Sequence, residues 1–170
     1  MNQKVKRIIL ILTVILTLFC LAFIFGNSLK DSAESTDQSM TVKKILTDLA
    51  SAFGYRGEIN VAKLRNFAHV AEFAALGACL SVGALFLARR KKDPSVARVA
   101  LFLSVSVAVG ACIAVLDELL QLSSAGRACE LKDVALDCLG IAIGALLVLG
   151  AYLILLKIIS SRREKLSAKE

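Results

Sequence analysis

The chain has 170 residues, of which 57% are hydrophobic, and its mean hydropathy is +0.72. A soluble domain of this length would bury one core and keep a polar coat, so the composition argues against a soluble protein. The net charge of +7 is compatible with nucleic-acid binding, but the basic residues lie beside apolar segments. The composition and the placement of the basic residues therefore favour a membrane protein. Since no nucleic-acid, nucleotide-loop or zinc motif is present, we expect no nucleic-acid partner.

Four apolar segments are long enough to cross a bilayer: 8–26, 66–88, 99–121 and 134–156. A helix rises about 1.5 Å per residue, so about 20 residues cross a hydrocarbon layer of about 30 Å. The first segment also has the charged start and apolar run of a secretory signal, but no convincing cleavage site follows it. The sequence therefore predicts an all-α membrane protein with four transmembrane helices in a single domain, 1–170.

Lys and Arg are concentrated at the N-terminus, between the second and third segments, and in the tail 157–170, where acidic residues are few. Basic residues near the ends of spans mark the cytoplasmic face. Both termini and the second connection are therefore predicted to be cytoplasmic, which places the first and third connections outside.

The first connection, 27–65, begins with a polar run and continues with a regular apolar pattern. Apolar residues recur there at steps of three and four: Val42, Ile45, Leu46, Leu49 and Phe53. This pattern predicts a short amphipathic helix in the first outer loop. Such a helix either lies in the membrane interface or caps the helix bundle, and we favour capping.

Polar residues lie at the outer ends of the second, third and fourth spans and in the loop between the last two. They are Arg65, His69, Glu72, Asp117, Glu118, Gln121, Arg127, Asp133 and Asp137. Under the predicted topology they share one depth. An ionised side chain at mid-membrane costs roughly 2.5–3.5 kcal/mol, so we expect these groups to face one another or a wet cavity. In the alternative interpretation these residues pin the helices together or lie at the aqueous boundary. Asp133 is equally well explained as an ordinary boundary residue.

Three stretches of the sequence resemble the VanZ-like family of bacterial membrane proteins. They are Phe25-Gly26-Asn27-Ser28 with the Ser/Glu-rich run after it, Arg65-x3-His69-x2-Glu72-x4-Gly77, and Asp117-Glu118-x2-Gln121 with Gly126-Arg127 and Asp133-x3-Asp137-x2-Gly140-x3-Gly144. The resemblance covers roughly residues 8–156. It departs from the family pattern at Phe73, where tyrosine is frequent, and at Leu120, where histidine or isoleucine is common.

The resemblance implies a multi-pass protein of the bacterial cell membrane, in a family known through a member linked to resistance to the glycopeptide teicoplanin. It implies no established reaction. The glycines of the motifs stand at spacings that allow close helix contact, and we interpret Gly77, Gly140 and Gly144 as packing residues.

Three functions stay open. The first is a cell-envelope protein that affects teicoplanin susceptibility by binding a membrane-lipid head group or a lipid-linked cell-wall precursor, with Arg65 and Arg127 meeting phosphate. The second is an intramembrane hydrolase or transferase acting on a lipid substrate. The third is an accessory subunit of a membrane complex.

In the enzyme hypothesis His69 is the general base, oriented by Glu72, and Asp117 or Asp137 is the acid partner. Glu118, Gln121 and Asp133 support the site in either of the first two hypotheses. We expect no cofactor and no metal ligands. A divalent cation held by the carboxylates is a variant of the enzyme hypothesis, which the ligand spacing along the sequence does not support.

Overall fold

The computed structural model describes residues 3–54, 56–89 and 95–167, which form five α-helices joined by short connections. The helices are α1 (Gln3–Ser28), α2 (Ser32–Ala52), α3 (Val61–Ala88), α4 (Val96–Gln121) and α5 (Leu131–Ser167). Helices α1, α3, α4 and α5 are long and apolar enough to cross a membrane. The prediction of an all-α fold with four helices that could span a membrane is confirmed, and each of these helices extends beyond its apolar segment at one end or both.

The C-terminal ends of α1 and α4 and the N-terminal ends of α3 and α5 meet at one end of the bundle, where side chains from different helices hydrogen bond to one another. We call this the polar end. The basic segments belong to the opposite end, although Arg90, Lys91, Lys92 and Lys169 lie outside the described residues. Which end faces the cytoplasm stays a prediction from the distribution of basic residues.

Helix α3 is central, because it packs against α1, α4 and α5 and also contacts α2. The buried core consists of Ile24, Phe73, Leu76, Ala114 and Ile141, so all four spanning helices contribute to it. Large apolar side chains elsewhere on the spanning helices are exposed, including most of those on α1. An apolar outer surface of this kind suits contact with lipid rather than with water.

The α3–α5 contact is the most extensive in the bundle, and it depends on glycine. A Cβ atom at Gly140 would lie 2.5 Å from the carbonyl oxygen of Val70, and one at Gly77 would lie 2.6 Å from that of Ile141. A Cβ at Gly144 would meet the carbonyl oxygen of Ala74. The two backbones therefore approach more closely than any side chain allows, as the spacing of these glycines predicted.

Helix α2 lies in the first connection, where the sequence predicts a short helix, but at 21 residues it is longer than predicted. Asp31 caps its N-terminus, because a carboxylate oxygen of Asp31 accepts a hydrogen bond from the Glu34 backbone N–H at 2.8 Å. Gly54, with a φ of 83°, follows its C-terminal end. The apolar side chains of Ile45 and Leu49 are exposed. An amphipathic, bundle-capping role for α2 stays a prediction.

Candidate functional site

The single histidine of the chain pairs with a fully buried aspartate at the polar end. Nδ1 of His69, on α3, lies 3.0 Å from Oδ1 of Asp137, on α5. The Asp137 side chain is completely inaccessible, whereas that of His69 keeps 17% of its surface exposed. The second oxygen of Asp137, Oδ2, is buried without a hydrogen-bond partner among the described residues. A buried carboxylate oxygen ordinarily has a partner, so this atom marks an incomplete polar site.

The two acids at the end of α4 are held by donors from three segments. The Ser28 hydroxyl, at the end of α1, donates to Oδ1 of Asp117 at 2.6 Å. The Gln121 amide donates to Oε1 of Glu118 at 2.7 Å and to Oδ2 of Asp117 at 3.4 Å. The backbone N–H of Glu130 donates to Oε2 of Glu118 at 2.9 Å. Both carboxylates are therefore fixed in place, and both are buried.

Together these residues form a compact group of ionisable side chains, which we call the four-residue cluster: His69, Asp117, Glu118 and Asp137. One possible ligand atom from each lies within 4.8 Å of those of the others. Two unit charges 4.8 Å apart repel by about 3.5 kcal/mol at an effective dielectric constant of 20. A protonated imidazole would balance only one of three ionised carboxylates. The cluster therefore requires further positive charge, either as protons or as a bound cation.

The α4–α5 loop closes the polar end over the C-terminus of α1. Gly126 adopts a φ of 73°, which favours glycine, and turns the chain so that Arg127 reaches back toward α1. There Nη1 of Arg127 donates to the carbonyl oxygens of Asn27 at 3.1 Å and Ser28 at 3.4 Å. Burial lowers the pKa of the Arg127 guanidinium, and the positive charge of Arg65 lowers it further.

A cavity of about 130 Å³ opens in front of the cluster at the polar end. The charged groups that line it are Arg65, His69, Glu72, Asp117 and Arg127. Its wall also includes polar side chains of α2, and its remaining polar lining comes from Asn27, Ser28 and Gln121. His69 and Asp117 belong to both the cavity lining and the four-residue cluster, so the cavity borders the cluster.

The structure brings most of the residues singled out in the sequence to this one place. Glu72, however, accepts a hydrogen bond from the Asn27 amide at 3.3 Å, so the hydrogen-bonded partner of His69 is Asp137 and not Glu72. Glu118 is fully buried. Asp133 is half-exposed and is not part of the described cavity lining. The functional roles assigned to these residues stay predictions.

Several site residues were not chosen as candidates in the sequence. Asn27 and Ser28 entered only through a family motif, yet they hold Glu72 and Asp117. Ser35, Gln38 and Ser39 of α2 line the cavity. The available signal was the polar run directly after the first span, whose small hydroxyl and amide side chains suit hydrogen bonding to buried acids.

A family model described as VanZ/LLP1 matches residues 8–156, which is most of the chain. The chain belongs to the VanZ/LLP1 family. No curated protein and no solved structure matches it. Family membership and the four apolar helices together support a VanZ-like, multi-pass membrane protein.

The three motif stretches of this VanZ/LLP1 protein meet in space. The first supplies Ser28, the second His69, and the third Asp117, Asp137 and the Gly126-Arg127 turn. The motif glycines of α5 permit the close α3–α5 contact that brings His69 to Asp137. The three stretches that carry the resemblance to the family are thus the ones that build the polar end.

Proposed function

We propose that this VanZ/LLP1 protein is a cell-envelope protein that binds the phosphate of a lipid head group, or of a lipid-linked cell-wall precursor, in the cavity at the polar end. The observation that carries the proposal is the pair of guanidinium groups, Arg65 and Arg127, in the wall of one cavity. The cavity lies at the ends of the spanning helices, which is the depth of lipid head groups.

Arg65 is the group best placed to receive a phosphate. Its side chain is exposed, and among the described residues it makes no hydrogen bond or ion pair with the protein. Its planar fork of N–H donors therefore remains available, and that geometry matches phosphate oxygens in a bidentate manner.

Arg127 adds a second, more buried positive charge. It uses one nitrogen for the carbonyl oxygens at the end of α1, so other N–H donors remain for a ligand. Burial and the charge of Arg65 both act against its positive charge and lower the pKa of its guanidinium. An anion bound between the two guanidinium groups would offset both effects.

The acids in the lining are held by hydrogen-bond donors of the protein, and an anion would bind at the two guanidinium groups and not beside these carboxylates. Glu72 accepts a hydrogen bond from Asn27, and Asp117 accepts from Ser28 and Gln121. Under the predicted topology the cavity opens toward the outer leaflet. A protein that holds head groups or wall precursors there would change how a glycopeptide such as teicoplanin meets its target.

The binding proposal is tested with the protein in nanodiscs that contain an anionic lipid, by native mass spectrometry of retained lipid. Arg65→Ala should lower retention about tenfold or more, because the loss of one charge-assisted pair costs about 1.5–3 kcal/mol. Lys63→Ala is the matched control, since Lys63 is an exposed cation on the same helix that is not part of the described cavity lining. Equal losses in both variants would mean that only general surface charge attracts lipid.

The link to glycopeptides has its own test. Expression of the wild-type chain in a susceptible bacterium should raise the teicoplanin concentration needed to stop growth, and Arg65→Ala should abolish that rise. If wild-type expression and deletion leave susceptibility unchanged, this member does not act on glycopeptides, whatever lipid it binds.

A second candidate function is hydrolysis or group transfer on a lipid substrate, and the His69–Asp137 pair favours it. An imidazole held at 3.0 Å by a buried carboxylate has the arrangement of a general base and its orienting group. If the protein is such an enzyme, His69→Gln abolishes turnover of the bound lipid while lipid retention in nanodiscs persists. Lipid analysis of cells with and without the protein, compared with His69→Gln, would show the substrate and product.

A further inference from the structure

The four-residue cluster has the composition of a metal site, although its members are widely spaced in the sequence. Its ligand atoms are one imidazole nitrogen and three carboxylate oxygens, supplied by α3, α4 and α5. Divalent first-row metal ions such as Mn²⁺, Fe²⁺ and Zn²⁺ bind both imidazole nitrogen and carboxylate oxygen, whereas Mg²⁺ and Ca²⁺ prefer oxygen alone.

The spacing of the four ligand atoms is close to what such an ion requires. Ligands about 2.1 Å from a metal lie at most about 4.2 Å from one another. The atoms of the cluster already lie within 4.8 Å of one another, so side-chain shifts of less than an ångström suffice to close the site.

An independent observation points to a ligand that the cluster is built to hold. Oδ2 of Asp137 is fully buried and has no partner among the described residues. The carboxylate oxygens of Asp117 and Glu118 each accept one hydrogen bond from Ser28, Gln121 or the Glu130 backbone. Since a carboxylate oxygen has two lone pairs, each keeps one for a cation, and the donors orient the carboxylates for it.

We infer that His69, Asp117, Glu118 and Asp137 bind one divalent transition-metal ion at the polar end of the bundle. The ion supplies the positive charge that three buried carboxylates and one imidazole lack. It reaches the site through the cavity, because His69 and Asp117 line it. This inference does not depend on the proposed lipid binding, because it rests on the buried acids and not on the arginines.

The test uses the full chain in detergent micelles, stripped with a chelator and then titrated with Mn²⁺ alone. Electron paramagnetic resonance measures free Mn²⁺, so no activity is required. The wild-type chain should bind one Mn²⁺ per molecule, and Zn²⁺ should displace it, since Zn²⁺ lies above Mn²⁺ in the affinity order of divalent ions. Asp137→Asn and Glu118→Gln should each weaken Mn²⁺ binding at least tenfold.

Glu130→Gln is the matched control. It removes one acid that is close to the cluster in sequence, but the Glu130 side chain is exposed. The hydrogen bond that the Glu130 backbone N–H donates to Glu118 is preserved in this variant. Size-exclusion chromatography shows whether each variant is folded, and His69→Gln replaces any cluster variant that is not. The inference is overturned if the wild-type chain binds no Mn²⁺ at millimolar concentration, or if Glu130→Gln weakens binding as much as the cluster variants do.

The outcome also separates this site from the proposed lipid site. Arg65→Ala should bind Mn²⁺ as the wild-type chain does while retaining less lipid. If the wild-type chain binds no Mn²⁺ but retains lipid in an Arg65-dependent manner, the metal-site inference is refuted and the proposed lipid site is supported.

Discussion

A methyl group added at Gly144 tests whether the close α3–α5 contact holds the polar end together. A Cβ there would meet the carbonyl oxygen of Ala74 and would lie 2.6 Å from the backbone nitrogen of Ala78, where ordinary contacts begin at 3.4 Å. These are helix backbone atoms, which cannot turn aside as a side chain does, so the helices must separate by roughly 1 Å. Overpacking costs about 1–3 kcal/mol, and the better helix propensity of alanine returns up to about 1 kcal/mol. Gly144→Ala should therefore lower the free energy of unfolding by up to about 2 kcal/mol.

The measurement is reversible unfolding by sodium dodecyl sulfate in mixed micelles, followed by circular dichroism. Gly150→Ala is the control on the same helix, because a Cβ at Gly150 has nothing within 4 Å. That variant should match the wild-type chain or exceed its stability slightly. If Gly144→Ala and Gly150→Ala unfold at the same detergent fraction, the helices do not approach as the structure shows, and the argument from glycine fails.

Three further predictions concern a side-chain hydrogen bond, the conformation of a loop and the topology in the membrane. Gln121→Leu removes the amide that donates to both acids of α4 and should lower the unfolding free energy by about 1.5–3 kcal/mol. The control Gln38→Leu, at an exposed position of α2, should lower it far less. Gly126→Ala forces a side chain into a left-handed conformation and should cost about 1–2 kcal/mol in the same assay. Unchanged stability would contradict the loop conformation. In a chain whose other cysteines are alanine, a membrane-impermeant maleimide added to intact cells should label Cys129 and should not label Lys165→Cys; the reverse pattern would invert the predicted topology.

The spans could be predicted from the sequence because the number of consecutive apolar residues shows whether a helix is long enough to cross a bilayer. The position of His69 and Asp137 near one end also followed from the order of the spans, since helices that alternate in direction place certain ends together. Both steps need only the rise of a helix and the thickness of a bilayer.

Side-chain pairing could not be predicted in the same way. The choice between Glu72 and Asp137 as the partner of His69 depends on how α3 is rotated about its axis, and helices that are apolar on all sides carry little periodic signal for rotation. The rotation is set instead by the glycine contacts between α3 and α5. The part played by Ser28 was missed because a single serine at the end of a span is an ordinary feature of a sequence.

The geometry also bears on whether the buried acids only pin the helices together. Buried charged groups are a poor way to stabilise a bundle, because desolvation opposes the gain from pairing and well-packed apolar residues often do as well or better. A pinning role would further be expected to use every polar atom, yet Oδ2 of Asp137 has no partner among the described residues. The arrangement is better explained by a ligand that completes it than by stability of the bundle alone.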